Sequence, residues 1–224
     1  MKRVIFIFLL FVTLFACNNK KSTHSSAAQT DSLLCELHER DQQIRHELMR
    51  VQRAFIAEQR AELVDSIVML VAEQDRADSL NRVAVDSLLQ NGWPEGLSEQ
   101  SNQTIWLIID HGDVEYQERY LPLIEQQAMR GIISLADYAT LSDRVNVRCQ
   151  RPQRYGTQTG YTQRDGETFT YVYPIEDFAK LDSLRLSVGL DSMHIYLRQV
   201  SETLGTQVKI DPQLTWEEIE SFRN

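Results

Sequence analysis

The sequence predicts a mainly α-helical fold: a single helical domain with one small β-hairpin near residues 161–173. Beyond residue 32, apolar residues recur every three or four positions along most of the chain, which is the spacing of one helical face. Glycine or proline follows several of these stretches, where helices end. Residues 161–173 alternate instead, around Asp165-Gly166. This pattern favours a two-residue hairpin turn that places Arg164 opposite Glu167.

The longest apolar stripe lies at the start of the domain and predicts a long helix or a helical hairpin. It consists of Leu37, Ile44, Leu48, Val51, Phe55, Leu63, Ile67 and Leu70. Capping residues and helix breakers divide the rest of the chain. Further helices are expected at about 76–89, from Ser98 through 105–109, at 115–129, from Ser134, at 175–186, at 192–204 and from Thr215.

The first 17 residues have the features of an exported lipoprotein. Lys2 and Arg3 precede an uncharged apolar run, residues 4–16, which is too short to span a bilayer as a stable helix. The run ends in Leu14-Phe15-Ala16-Cys17, which resembles the lipobox of bacterial lipoproteins. The alternative is a retained anchor helix with an incidental cysteine. We expect a signal peptide at residues 1–16 and a lipid on Cys17 that anchors the protein to a membrane.

The rest of the chain divides into a tether and a domain. Residues 17–31 contain no large apolar side chain, which is typical of a flexible tether, and residues 32–224 are long enough for one domain with its own core. The tether has no acidic cluster resembling a surface-export signal. We therefore expect the protein in the bacterial cell envelope, at the outer membrane and facing the periplasm.

The composition is acidic. The chain has 32 acidic and 23 basic residues and a net charge of −9, which favours solubility and argues against general nucleic-acid binding. Cys35 and Cys149 could pair in an oxidising compartment, but isolated cysteines are also common as buried thiols. Spacing alone does not decide between the two states.

Signatures of well-known catalytic sites are absent from the sequence. His46-Glu47 begins like a zinc-protease helix, but Arg50 occupies the position of the second histidine. There is no phosphate-binding loop, dinucleotide-binding turn or nucleophile elbow, and neither internal cysteine has metal-ligand spacing. We therefore expect no cofactor and no bound metal.

Several polar residues lie where the apolar stripes require core residues. Asp41 follows Leu37 by four positions and precedes Ile44 by three, and Arg45 can reach it from the next turn. The same placement applies to Asn81, His111 and Gln117. Buried polar groups without partners cost about 1–3 kcal/mol each. Such residues on converging helices predict either a polar network that fixes helix register or a wet pocket.

A basic segment interrupts the acidic chain at residues 143–158. Arg144, Arg148 and Arg151 share one face if the helix persists there, and Arg154 follows. Arginine guanidinium groups suit carboxylate or phosphate ligands. The alternative is that these arginines only neutralise neighbouring acids at the surface.

The polar residues belong to a series of short motifs. In chain order these are Asp41-Gln42-Gln43-Ile44-Arg45, Asp78-x-x-Asn81, Gly92-Trp93-Pro94, His111-Gly112-Asp113, Gln117, Leu121-Pro122-Leu123, Asp143-Arg144, Gln153-Arg154-Tyr155-Gly156-Thr157-Gln158, Val188-Gly189-Leu190 and Tyr196-Leu197. Together they resemble a bacterial family of unknown function, domain of unknown function 6624, over about residues 33–197. The resemblance implies no reaction, but it implies that these polar positions form a set. One segment, residues 181–185, departs from the acid–arginine pairs that the family often has.

We predict that this set forms one polar site. His111 is the candidate catalytic base because imidazole titrates near neutral pH, and Asp113 or Asp41 would orient it. A metal site at His111 and Asp113 is a weaker alternative, since one histidine with carboxylates is a poor ligand set. The predicted ligand-binding residues are Asp41, Gln42, Arg45, Asn81, Gln117, Asp143, Arg144, Gln153, Tyr155, Thr157 and Gln158.

Three classes of function remain open from the sequence. The protein binds a small polar or anionic ligand in a pocket between helices, or it is an envelope hydrolase in which His111 activates water, or it is a structural or interaction module. The missing nucleophile signature favours binding over catalysis.

Overall fold

The computed structural model describes residues 20–164 and 167–222, and its described part is mainly α-helical with a small three-stranded sheet. The predicted fold class is confirmed. The predicted signal peptide and Cys17 lie outside the described residues. Within the described residues, no helix combines the length and apolar character that a bilayer span requires.

The chain begins with a long helical hairpin. Helix α1 (Lys20–Glu58) and helix α2 (Leu63–Leu89) are joined by a short turn in which Gln59 has a φ of 49°. Of the two predicted alternatives, the hairpin is therefore correct. The separate helix expected at residues 76–89 is instead the second half of α2. No glycine or proline stands between Leu70 and Arg76, so nothing in the sequence ends the helix there.

Helix α1 already begins at Lys20, inside the segment whose composition predicts a flexible tether. Two contacts attach the end of that segment to the domain. Asp31 Oδ1 accepts hydrogen bonds from the backbone N–H and the hydroxyl of Ser98, both at 3.1 Å. The Ala27 side chain lies beside Gly96. Composition alone does not reveal such tertiary contacts, and they explain why helix continues through residues 27–31.

Three further helices pack on the hairpin and complete the main core. They are α3 (Glu99–Asp110), α4 (Val114–Met129) and α5 (Leu135–Arg148). Ser98, Asp113 and Ser134 cap their N-termini by accepting a backbone hydrogen bond. The core residues at their centre include Leu37, Val85, Ile105, Ile109, Ile124 and Leu141. Helix α3 contacts both α1 and α2, so its C-terminus lies beside the hairpin.

The C-terminal part of the described chain contains the sheet and three short helices. Strands β1 (Thr159–Arg164) and β2 (Glu167–Val172) form the predicted hairpin, with Arg164 paired to Glu167. A two-residue strand, β3 (Val208–Lys209), pairs in parallel with β2 and is too short for a sequence pattern to reveal. The helices are α6 (Leu181–Ser187), preceded by a 3-10 turn at Phe178–Lys180, α7 (Met193–Leu204) and α8 (Trp216–Ser221).

Both cysteines of the described chain are free thiols. Cys35 is exposed on α1, and Cys149 is half-buried at the end of α5. The Cys149 thiol lies 3.4 Å from Glu118 Oε1.

Candidate functional site

The turn between α3 and α4 holds His111 at one end of the helical core. His111 is the C-cap of α3, and Asp113 caps α4 by accepting a 2.9 Å hydrogen bond from the Tyr116 backbone N–H. Gly112 stands between them, and a Cβ atom there would lie 2.7 Å from the Tyr116 ring. A larger residue at position 112 would therefore force the Tyr116 ring or the turn itself to shift.

Side chains from the helical hairpin surround one edge of that ring. Asp41 Oδ1 lies 2.9 Å from His111 Nδ1, and Arg45 Nε lies 3.0 Å from the same nitrogen. Arg45 Nη2 donates to both carboxylate oxygens of Asp78, at 2.9 and 3.0 Å. Arg45 therefore links α1, α2 and the end of α3 at a single point.

Asp41 is a fully buried carboxylate. Burial by itself would raise the pKa of Asp41, but the His111 hydrogen bond, the charges of His111 and Arg45 and the Gln42 hydrogen bond together lower it. The Gln42 contact joins Nε2 to Asp41 Oδ2 at 2.7 Å. Asp41 is therefore an ionised acceptor at neutral pH. It is the residue that orients His111, because Asp113 is engaged in capping α4.

His111 Nδ1 has a hydrogen-bond acceptor on one side and a donor on the other. When Nδ1 carries a proton it donates to Asp41, and when it does not it accepts from Arg45 Nε. In the second state the neutral ring carries its proton on Nε2. No hydrogen bond to Nε2 occurs among the residues that the structure describes, and the side chain is 22% exposed. Nε2 is therefore available to a molecule in the adjoining cleft.

Buried polar residues support the His111 turn from behind. Gln117 Nε2 donates to the Asp110 carbonyl at 2.6 Å, and Arg148 Nη1 donates to the Gly112 carbonyl at 2.7 Å. Arg144 Nε lies 2.9 Å from Asp110 Oδ1, an ion pair that lacks hydrogen-bond geometry. Burial raises the pKa of Asp110 despite the nearby charges of Arg144, His111 and Arg148.

An open cleft of about 590 Å³ lies in front of His111. Asp75, Asp78 and Arg82 on α2 form one side, and residues 111–114 with Arg148 form the other. Asp78 already holds Arg45, whereas Arg82 and Arg148 have no carboxylate within ion-pair distance among the described residues. The cleft therefore offers two guanidinium groups and an imidazole, with Asp75 as a further acceptor.

Asn81 stands between the cleft residues Asp78 and Arg82 in the sequence of α2, but its side chain faces α1. It is fully buried, donates to the Leu37 carbonyl at 3.4 Å and accepts from Arg40 Nη1 at 3.2 Å. These contacts join α1 to α2 and leave Asn81 outside the lining of the cleft.

A second group of predicted residues gathers around Asp143, on α5. The Asp143 carboxylate accepts hydrogen bonds from the backbone N–H groups of Arg154, Tyr155 and Thr157, at 2.8–3.2 Å. The Thr157 hydroxyl also donates to this carboxylate, at 3.1 Å. Burial raises the pKa of Asp143, and these hydrogen bonds offset part of that effect. Asp143 therefore anchors the loop after α5 to the helix.

The two glutamines of the same loop form hydrogen bonds within the loop and to its neighbours. Gln153 is fully buried; its side chain donates to the carbonyls of Gln158 and Tyr173 and accepts from the Gln158 backbone N–H. Gln158 Nε2 lies 3.1 Å from the Thr157 hydroxyl and 3.5 Å from the Thr140 carbonyl. Tyr155 is 5% exposed and packs against Ala139. All of these contacts hold the loop in place.

Arg185 completes this second group and was not among the predicted site residues. It is 1% exposed, and its guanidinium group donates to the carbonyls of Tyr155, Gly156 and Asp191. It also lies 4.6 Å from the centre of the Tyr196 ring. The sequence signal was an arginine within an amphipathic helix, at the segment that departs from the family pattern.

The structure thus divides the predicted set in two. The His111 group contains Asp41, Gln42, Arg45 and Asp113, with Gln117 and Arg144 behind it. The Asp143 group contains Gln153, Tyr155, Thr157 and Gln158. Sequence reasoning did not name Asp110 or Arg82, and it placed Asp78 in a motif without giving it a role in the site. The contact of Asp78 with Arg45 is visible only once α1 and α2 are paired.

Among the described residues, no cluster of three or more histidine, cysteine or carboxylate side chains could hold a metal ion.

The geometry defines the class of protein: a mainly helical domain with a histidine cleft backed by a buried carboxylate–arginine network. The family of unknown function DUF6624 matches residues 28–209, and the chain belongs to that family. No curated protein matched the chain, and no solved structure did.

Proposed function

We propose that this domain binds a small polar or anionic ligand in the His111 cleft, and that it does so as a lipid-anchored protein of the cell envelope. The observation that carries the binding proposal is the cleft itself, which His111, Arg82 and Arg148 line together. Concave sites with a few convergent polar groups are the usual form of small-molecule sites.

The two guanidinium groups of the cleft suit a ligand with an acidic group, and the carboxylates that also line it, Asp75, Asp78 and Asp113, suit a ligand that carries hydrogen-bond donors as well. Arg82 and Arg148 provide guanidinium donors that suit carboxylate or phosphate oxygens. The neutral His111 ring with its proton on Nε2 adds a third donor, because Arg45 can donate to Nδ1. Asp75 lines the same cleft, so a ligand with its own hydrogen-bond donors would be bound at both ends.

Thermal-shift measurements with phosphate, small carboxylates, amino acids and sulfonates test this proposal. At least one compound is expected to raise the unfolding midpoint of the wild-type protein and to have little effect on His111→Gln and Arg82→Gln. The matched control is His194→Gln, because His194 is exposed on α7, away from the cleft. If His111→Gln loses stability and no compound stabilises the wild type, the polar set has only a structural role.

A second candidate function is hydrolysis with His111 as general base. The 2.9 Å contact between Asp41 Oδ1 and His111 Nδ1 favours it, because a buried carboxylate there orients the ring and leaves Nε2 facing the cleft. No serine, threonine or cysteine lines the cleft within the described part of the chain, so water would be the nucleophile. Turnover of phosphate or carboxylate esters that His111→Gln abolishes while binding remains would support hydrolysis over binding.

The lipid anchor is the second part of the proposal. Its support is the apolar run of residues 4–16, which ends in Leu14-Phe15-Ala16 and is followed by Cys17. Labelled palmitate should be incorporated into the wild-type chain and not into Cys17→Ala, whereas Cys35→Ala should label like wild type. Equal labelling of the Cys17→Ala chain would contradict the anchor.

A further inference from the structure

The first ten residues of α2 are apolar around most of the helix. Of residues 63–72, all but Asp65 and Ser66 are apolar. Leu63, Ile67 and Leu70 face α1 and are half-buried, whereas Val64, Val68 and Met69 are 43%, 62% and 73% exposed. A helix that is apolar all round is normally buried on all sides. The outer half of this segment, which we call the α2 outer face, has no cover among the described residues.

The α2 outer face contains a stripe of four residues that would match an antiparallel copy of itself. Asp65, Met69, Ala72 and Arg76 follow one another at spacings of four, three and four, so they share one side of the helix. The same spacings are read in either direction, and all four residues are exposed. Neither Asp65 nor Arg76 forms an ion pair with any residue that the structure describes.

We propose that the α2 outer face binds a second copy of this chain, with the two α2 helices antiparallel and related by a two-fold axis that passes between Leu70 and Val71. This arrangement places Asp65 opposite Arg76 of the second copy, twice. It also places Met69 opposite Ala72 of the second copy, so that a large side chain meets a small one. The interface thus has an apolar centre between two complementary ion pairs.

The surface beside the stripe fits this partner. A groove of about 720 Å³ lies beside the stripe, and its lining consists of Arg40, Met69, Ala72, Glu73, Arg76, Ala77 and Leu80. Met69 of the second copy would lie at this groove. A flexible thioether side chain suits the irregular apolar part of that surface. The interaction is distinct from the His111 cleft, whose α2 residues Asp75, Asp78 and Arg82 lie on another side of the helix.

The proposal is tested by reversing the charge of Asp65 or of Arg76 in two differently tagged full-length copies and measuring their co-purification. Asp65→Arg copies carry two arginines in the stripe and should repel one another, and Arg76→Asp copies carry two aspartates and should do the same. A mixed pair restores both ion pairs. Co-purification should therefore fall about tenfold for each same-variant pair, since two attractive pairs become repulsive, and should return to the wild-type level for the mixed pair.

Glu202→Arg and Arg198→Asp on α7 make the same charge changes at exposed positions away from the stripe and should leave co-purification unchanged. The proposal is overturned if wild-type copies do not co-purify. It is also overturned if both single exchanges leave same-variant pairing intact, or if the mixed pair is as weak as the same-variant pairs. All four substituted residues are exposed, so none of these outcomes depends on misfolding.

Discussion

The Nδ1 atom of His111 lies 2.9 Å from the Oδ1 atom of Asp41, across 70 positions of sequence. The contact joins the C-terminus of α3 to the middle of α1 and determines which ring nitrogen faces the cleft. Arg45 Nε lies 3.0 Å from the same nitrogen, so Nδ1 can donate to Asp41 or accept from Arg45 without movement of the ring. The proposed binding function depends on this arrangement.

Replacing Asp41 with Asn should lower the free energy of unfolding by about 2 kcal/mol at pH 7, because a buried charged acceptor of His111, Arg45 and Gln42 is lost. The folded pKa of Asp41 is below its ordinary value of 3.8. Its contribution is therefore fully present above pH 3.8 and is lost as pH falls through the folded pKa. Urea titrations of both proteins from pH 7 to pH 3 should show the difference shrinking only below about pH 3.8. A difference that is constant with pH would contradict this assignment.

Replacing Arg45 with Lys should cost about 1–2 kcal/mol of stability, although the charge is kept. A lysine ammonium group cannot hold both Asp78 oxygens and His111 Nδ1 in one planar arrangement. Chemical denaturation measures the loss. Arg50→Lys is the matched control, because Arg50 forms an exposed pair with Glu47 and should change stability by less than about 0.5 kcal/mol. Equal effects of the two variants would show that the Arg45 geometry is unimportant.

Replacing Asp143 with Asn should cost about 3 kcal/mol of stability. The carboxylate accepts hydrogen bonds from three backbone N–H groups and a hydroxyl, and an amide NH₂ in its place would oppose some of these donors. Hydrogen exchange of the Tyr155 and Thr157 amides should accelerate in the variant. Glu202→Gln, an exposed carboxylate-to-amide change, is the control. Unchanged amide protection in Asp143→Asn would refute the anchoring role.

Replacing Arg185 with Lys should cost about 2 kcal/mol of stability, because one ammonium group cannot satisfy the carbonyls of Tyr155, Gly156 and Asp191 together. The control is Arg198→Lys on the exposed side of α7. Thermal unfolding of the two variants gives the comparison. If ligand binding at the His111 cleft persists in folded Arg185→Lys protein, the Asp143 group acts only as a structural support.

The sequence was sufficient for the helices whose ends carry a local signal. Ser98, Ser134 and Thr215, where helices were expected to begin, are N-caps in the structure, and Arg164 pairs with Glu167 in the predicted register. The sequence was not sufficient for the start of α1 or for β3. Asp31, in the part of α1 that was expected to be tether, bonds to a distant partner, Ser98, and β3 is a two-residue strand that pairs across the fold.

The candidate site shows the same limit. Helical spacing identified Asp41 and His111 as polar residues at core positions and placed Arg45 within reach of Asp41. The structure brings these three into contact. The same reasoning grouped them with Gln153 and Gln158, whose contacts are instead with the loop after α5. Polar residues in phase with a core indicate that partners exist. Which partners they find is decided by tertiary packing, and neither spacing nor composition contains that information.

The most direct measurement of the proposed function is the ring ¹⁵N NMR spectrum of His111 during titration with phosphate, small carboxylates, amino acids and sulfonates. At least one compound should shift the Nε2 signal of His111 saturably in the wild-type protein and leave the signals of His194 unchanged. The Arg82→Gln variant should bind that compound at least about tenfold more weakly, because a charge-assisted contact is lost. If no compound shifts the His111 signals of the folded wild-type protein, ligand binding in this cleft is contradicted.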